Sequence, residues 1–177
     1  MEPHRHTPLI ESLRREQANA MQLYLQYKGY HWNVRGPYFH DLHLMFDEHA
    51  KAVLETVDPL AERQRILGAP AYYDLEAMSR ASKLSVDAHL PETGKEMAEH
   101  LLESHRHIIR GLRAGFELST ELGDPGTGDL LTRCLVAHEK MEWFLRELLE
   151  SRTDILEGLD LGTAAARRRA TLPTGVA

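Results

Sequence analysis

Apolar residues recur at steps of three and four through four long stretches of this chain, and no stretch alternates with the two-residue period of a strand. The first stretch runs from about Pro8 to Asn33, with Leu9, Leu13, Ala20, Tyr24, Tyr27 and His31 on one side, and Gly36-Pro37 stops it. The second begins near Phe39 and continues to about Leu67. Its stripe is Leu42, Phe46, Val53, Val57 and Ala61, and Gly68 and Pro70 end it. Residues 69 to 92 are mixed, with a short helical piece expected over Tyr73 to Ser79. A third long helix is expected from about Thr93, with Met97, Leu101, Ile108, Leu112 and Phe116 in register, closing at Gly123. Gly-Asp-Pro-Gly-Thr-Gly reads as a turn into a fourth helix over about 128 to 150, carrying Leu131, Leu135, Met141, Phe144, Leu145 and Leu148.

Four such helices, with a short one between the second and third, predict an all-α fold built as a four-helix bundle. The expected division is a flexible N-terminal arm over 1–7, the bundle over 8–160, and a flexible basic C-terminal tail over 161–177 with little to bury. At 177 residues one domain can bury its own core. No apolar run reaches the roughly 20 residues of a membrane span, and the charged N-terminus lacks a signal peptide's apolar stretch. The single cysteine, Cys134, has no internal partner for a disulfide, which agrees with a cytoplasmic location. A net charge of −6 argues against attraction to a phosphate backbone through the global field, so any nucleic-acid contact has to come from a local basic segment.

Candidate chemistry gathers on and before the second helix. His43 and Asp47 are four apart, as are Asp58 and Glu62, so each pair shares a helix face. Imidazole with carboxylate suits iron, manganese or zinc. His43 and Asp58 lie fifteen residues apart, roughly 22 Å along a helix axis, yet return to within about 60° of one face. One helix therefore cannot bring both pairs to one ion. Two copies packed antiparallel on this face, about an axis near residues 52 to 53, bring one chain's His43 and Asp47 opposite the other's Asp58 and Glu62 and make two equal sites. The competing reading is plain: acidic pairs at this spacing are usually solvated, and His31 on the apolar side of helix one also fits a core histidine.

The run Tyr30-His31-Trp32-Asn33-Val34-Arg35-Gly36-Pro37-Tyr38-Phe39, with Asp41-Leu42-His43 and Phe46-Asp47-Glu48 after it, resembles the signature of the Dps family, the mini-ferritins. Val57-Asp58-Pro59-Leu60-Ala61-Glu62-Arg63 and Leu67-Gly68 look like its second half, and His138-Glu139-Lys140 with Trp143-Phe144-Leu145 is similar to the family's fourth helix. The likeness spans roughly residues 8 to 150.

The resemblance implies a ferritin-like four-helix subunit assembled as a hollow dodecamer in the cytoplasm. Such a ferroxidase binds Fe(II) between two-fold-related subunits, oxidises it with hydrogen peroxide and stores Fe(III) mineral, protecting the cell and its DNA from oxidative damage. By position, His31, His43 and Asp47 match the ligands of one chain and Asp58 and Glu62 those of its mate, with zinc or manganese as other occupants. One departure is Pro59 inside the helix, where a kink would re-aim Asp58; Asp58-Pro59 also reads as an N-cap and first helical residue. Trp32 and Asn33 adjoin His31; Trp32 reads either as a ring packed over the site, placed in the family to absorb a stray oxidising equivalent, or as a core aromatic. Asp124 and Asp129 flank the turn that lines the family's three-fold pores, where acidic rings draw cations, and they read equally as helix N-terminal acids. The chain contains no Glu-x-x-His, which counts against an intrachain di-iron centre.

The alternative reading is DNA compaction through the tail, with iron chemistry secondary. Arg167, Arg168 and Arg169 lie in a segment without acidic residues, and twelve such tails act multivalently. A redox-silent store of zinc or manganese is a third reading. Of the remaining histidines, His49, His100, His105, His107 and His138 have no spacing that defines a site.

Overall fold

The computed structural model describes residues 6–36, 38–86 and 89–150. Five helices follow in order: α1 (Thr7–Asn33), α2 (Phe39–Ile66), α3 (Leu75–Ala81), α4 (Gly94–Glu121) and α5 (Pro125–Leu149). No strand occurs among the described residues, as the periodicity predicts. No helix among them is long and apolar enough to cross a membrane.

Local chemistry sets the helix ends. Thr93 and Glu96 form a reciprocal capping box that starts α4. Gly68 and Gly123 follow α2 and α4 at positive φ, +90° and +67°. At each, the next amide bonds back five residues, Ala69 N–H to the Gln64 carbonyl and Asp124 N–H to the Ser119 carbonyl, closing a Schellman motif that favours glycine. Helix α5 begins three residues earlier than the glycine-rich run suggests. Asp124 is the N-cap and Pro125 takes the first turn, where a missing N–H costs nothing. The glycines of that run are helical, and Gly128 lets α5 approach α4: a Cβ there would lie 3.0 Å from Ser119 Oγ.

Helix α1 packs along α2 and α4 along α5; α1 against α4 and α2 against α5 join the two hairpins. Leu13, Leu23, Phe46, Val53, Leu60, Leu101, Leu112, Leu131 and Leu145 are buried between them. Three residues of the expected stripes, Phe116, Phe144 and Leu148, stay more than 40% exposed, because they sit at the edges of the α4 and α5 apolar faces. Ala50, which falls between the His43–Asp47 and Asp58–Glu62 pairs along α2, is buried in the core.

Candidate metal centre

His31 stands in the last turn of α1 and His43 in the first turns of α2, across the short connection that reverses the chain. Their rings stack with centroids 3.8 Å apart and planes 25° apart. Nδ1 of His31 donates to the His43 carbonyl at 2.7 Å, and Nδ1 of His43 donates to the His31 carbonyl at 2.9 Å. A carbonyl only accepts, so both Nδ1 atoms carry hydrogen and both Nε2 atoms keep a lone pair in the neutral rings. A metal-binding imidazole needs this tautomer, and a main-chain carbonyl is a usual partner for fixing it.

Asp47 lies one turn beyond His43. Its carboxylate is held between Lys28 at 2.7 Å and Lys51 at 2.6 Å. Hydrogen bonds from Lys28 first, then from Lys51, hold its carboxyl well below the usual carboxylate range. Lys28 Nζ also sits 5.7 Å above the Trp32 ring. At 68% exposed, Trp32 is not a core aromatic in this chain. Asn33 turns back, its side-chain amide donating to the Gly29 carbonyl at 2.7 Å.

Helix α2 continues unbroken past Pro59. Asp58 and Glu62 are both exposed, on the strip that runs His43, Asp47, Lys51, Leu54, Asp58, Glu62 at steps of three and four. The chain thus brings His31 to His43 with Asp47 a turn away and leaves Asp58 and Glu62 further along. Among the described residues no three His, Cys, Asp or Glu side chains converge on one point. Apolar groups flank the strip on the open face: Tyr38, Phe39, Leu44 and Leu54 are all exposed.

The two acids at the α4–α5 corner differ. Asp124 is buried and engaged: it accepts from the Thr127 amide at 3.1 Å and hydroxyl at 2.7 Å, and pairs with Arg63 at 2.5 Å. Burial alone would push its carboxyl up, but the bonds from Thr127 and the Arg63 charge outweigh it and hold the carboxyl below its ordinary value. Asp129 is exposed and pairs with Arg133. Arg167, Arg168 and Arg169 lie outside the described residues.

A second polar cluster escaped the sequence reading. At the bundle centre the Tyr27 hydroxyl bonds His49 Nδ1 at 3.0 Å and His105 Nε2 at 2.7 Å, and His105 Nδ1 bonds His138 Nδ1 at 3.0 Å. Each long helix contributes one member, and all four are buried. Burial pushes His138 down to about 4; burial and then the Lys140 charge do the same for His49, again to about 4. Burial first, then the neighbouring His138 and His49, hold His105 well below its ordinary value, while the buried Tyr27 phenol is pushed well above its own. The available signal was register: His105 continues the Leu101–Ile108–Leu112 stripe and His138 the Leu131–Met141–Leu145 stripe, so both occupy core positions.

Five helices in this order, with paired metal-competent imidazoles at the α1–α2 corner, define a ferritin-like protein. The ferritin-like domain family matches residues 10–153. The Dps of Thermosynechococcus elongatus superposes with a TM-score of 0.80 at 38% identity, over 83% of this chain and 93% of that one. The DNA protection during starvation protein of Halobacterium salinarum is 30% identical over 158 residues, 89% of this chain and 87% of its own. The Dps of Vibrio cholerae O1, a member of a broad superfamily of ferritin-like diiron-carboxylate proteins, matches with a TM-score of 0.79 and 27% identity, over 85% of this chain and 94% of that one. The chain belongs to the Dps family.

Proposed function

We propose that this protein is a ferroxidase that takes Fe(II) as substrate at sites shared between two-fold-related subunits and stores the Fe(III) product as mineral inside a hollow dodecamer. The carrying observation is the reciprocal lock of His31 and His43, which sets two Nε2 lone pairs side by side at the surface. Asp47 from the same chain and Asp58 and Glu62 from its mate complete the donor set. Carboxylates stabilise Fe(III) and imidazoles suit Fe(II), so the mixture favours passage from one to the other. Zinc or manganese would compete for the same donors. The exposed Tyr38, Phe39, Leu44 and Leu54 supply apolar area for the subunit contact that closes the site.

Hydrogen peroxide is the oxidant in this reading: two Fe(II) give it two electrons, the O–O bond breaks, and two Fe(III) and two hydroxides result. Consuming both reagents of radical chemistry in one step protects the cell and its DNA. Exposed Asp129 is the acid available to draw Fe(II) inward, since Asp124 is committed to its cap.

Mixed assemblies test the shared site. His43→Ala and Glu62→Ala subunits, each inactive alone, should regain part of the Fe(II) oxidation rate after subunit exchange verified by mass spectrometry, because one of the two sites in a mixed pair is whole. No recovery would refute a shared site. Oxidation by the native protein at the protein-free rate would refute the ferroxidase reading altogether.

A further inference from the structure

Helices α4 and α5 share an open groove that the metal centre does not use. Arg106, Ile109, Arg110 and Arg113 of α4 and Trp143 and Arg146 of α5 line its roughly 450 Å³. We propose that residues 154–161 of the same chain lie in this groove as a short helix, with their acids on the arginines and their apolar side chains on Ile109 and Trp143. The segment straps α4 to α5 and screens the arginines from other anions.

Charge comes first. Inside the groove Glu142 pairs with Arg106 at 3.5 Å and with Arg146 at 3.2 Å, and Glu139 pairs with Arg113 at 2.7 Å. Four arginines less two glutamates leave a surplus of two positive charges along the lining. Glu103 and Glu147 reach Arg110 and Arg146 only from the rim, at 3.1 and 3.8 Å. Solvent keeps such pairs weak. Arg106, Arg110 and Arg113 follow at steps of four and three, so they share one flank of α4 over about 10 Å. Between them Ile109 is buried as a floor, while the Trp143 ring stays half-exposed with its N–H held by Glu147 at 3.0 Å. The groove therefore fits a partner with one apolar side and regularly spaced acids.

The next stretch of sequence has that pattern. Helix α5 ends at Leu149, and the ferritin-like match ends at residue 153. Beyond it Asp154, Glu157 and Asp160 recur every third residue, with no lysine or arginine from 153 to 166. On a helix Ile155, Leu156 and Leu159 fall within an arc of about 100°, and the acids fall outside it. Thr153 is a fitting N-cap and Gly162 a fitting stop. Reach agrees as well. Glu142 touches Arg106, so Arg106 stands about seven residues before the end of α5, roughly 10 Å. Residues 150–153 span up to about 14 Å when extended, enough to turn back to that level. A chain returning antiparallel to α5 meets Arg106, then Arg110, then Arg113. Asp154, Glu157 and Asp160 arrive in the same order, spread over about 9 Å. So short a helix, with Gly158 inside it, is unstable alone in water, so its order depends on the groove.

The test uses the full-length assembled protein, in which the native Cys134 is buried. Arg110→Cys with Glu157→Cys should form a disulfide on mild oxidation, found by peptide mapping in the monomer-sized band of a non-reducing gel. The pair Arg106→Cys with Asp160→Cys, out of register by about 9 Å, should link several-fold less. A link found in a dimer-sized band puts the segment on a neighbouring subunit and overturns the proposal. No link, or equal linking in both pairs, overturns it too. If the cysteine variants do not assemble, trypsin decides. In the native protein cleavage after Arg152 should lag cleavage after Arg167, Arg168 and Arg169 several-fold, and Arg110→Gln with Arg113→Gln should remove the lag. Equal native rates, or a lag that survives both replacements, overturns the proposal. Neither readout involves iron, so the ferroxidase reading stands or falls separately.

Discussion

His31 and His43 each donate Nδ1–H to the other's main-chain carbonyl, so their stacked rings, 3.8 Å apart, are held by two separate helices at once. Removing one ring therefore does two things: it takes away a donor and frees the remaining ring to rotate. His43→Ala is expected to weaken Co(II) binding, read by calorimetry under anaerobic conditions, by at least about 10- to 100-fold, the range seen when a supporting hydrogen bond alone is lost. Unchanged Co(II) affinity would show that these imidazoles are not ligands.

The lysine pair on Asp47 leads to an expectation of opposite sign. A metal ion approaching that carboxylate displaces two ammonium groups at 2.7 and 2.6 Å. In the Lys28→Met, Lys51→Met double variant the second equivalent of Co(II) per site should bind several-fold tighter, with the first little altered. A second equivalent that binds no better would mean that the carboxylate is not part of the second position.

Acid should loosen the bundle through its buried imidazoles. His138 titrates near 4 in the folded chain, against an ordinary 6.5, because burial disfavours its charged form. The unfolded chain therefore binds the extra proton first, and stability falls as pH drops from about 6.5 to about 4, levelling below that. His138 alone accounts for about 2 kcal/mol at pH 5, and His105 adds in the same direction. Urea midpoints at pH 7 and pH 5 measure the loss. His138→Leu should shrink the pH dependence, and a profile as steep as the native one would count against this origin.

Asp124 ties α5 to α2: it caps α5, accepts from Thr127 in that helix's first turn and pairs with Arg63 of α2. Asp124→Ala should cost about 2 kcal/mol, the upper range for a lost cap, or about 4–8 °C in the melting temperature. Asp124→Asn keeps the cap and loses only the charge, and should lie between. Thermal unfolding followed by circular dichroism decides this. An unchanged melting temperature for Asp124→Ala would mean that the cap is energetically idle.

Helix ends were legible where capping is local. Thr93 with Glu96, Gly68 and Gly123 act within a few residues, and the observed ends of α2 and α4 fall within two residues of those expected. The start of α5 was not, because Gly126 and Gly128 look like turn residues until α4 and Arg63 are seen pressing against them. For the metal centre, the four-residue spacing of His43 and Asp47 could be read directly, whereas the grip of Lys28 on Asp47 spans 19 residues and two helices.

What the chain determined by itself was the number of helices, their apolar stripes and the single face of α2 shared by His43, Asp47, Asp58 and Glu62, since each depends on periodicity and short-range bonding. Tertiary structure alone decided which of these groups meet. Tyr27 reaches His105 across 78 residues and His105 reaches His138 across 33, and no local pattern encodes where separate helices cross. That crossing is set by the packing of whole apolar faces, so a histidine at a core position becomes part of a hydrogen-bonded chain only once four helices close around it.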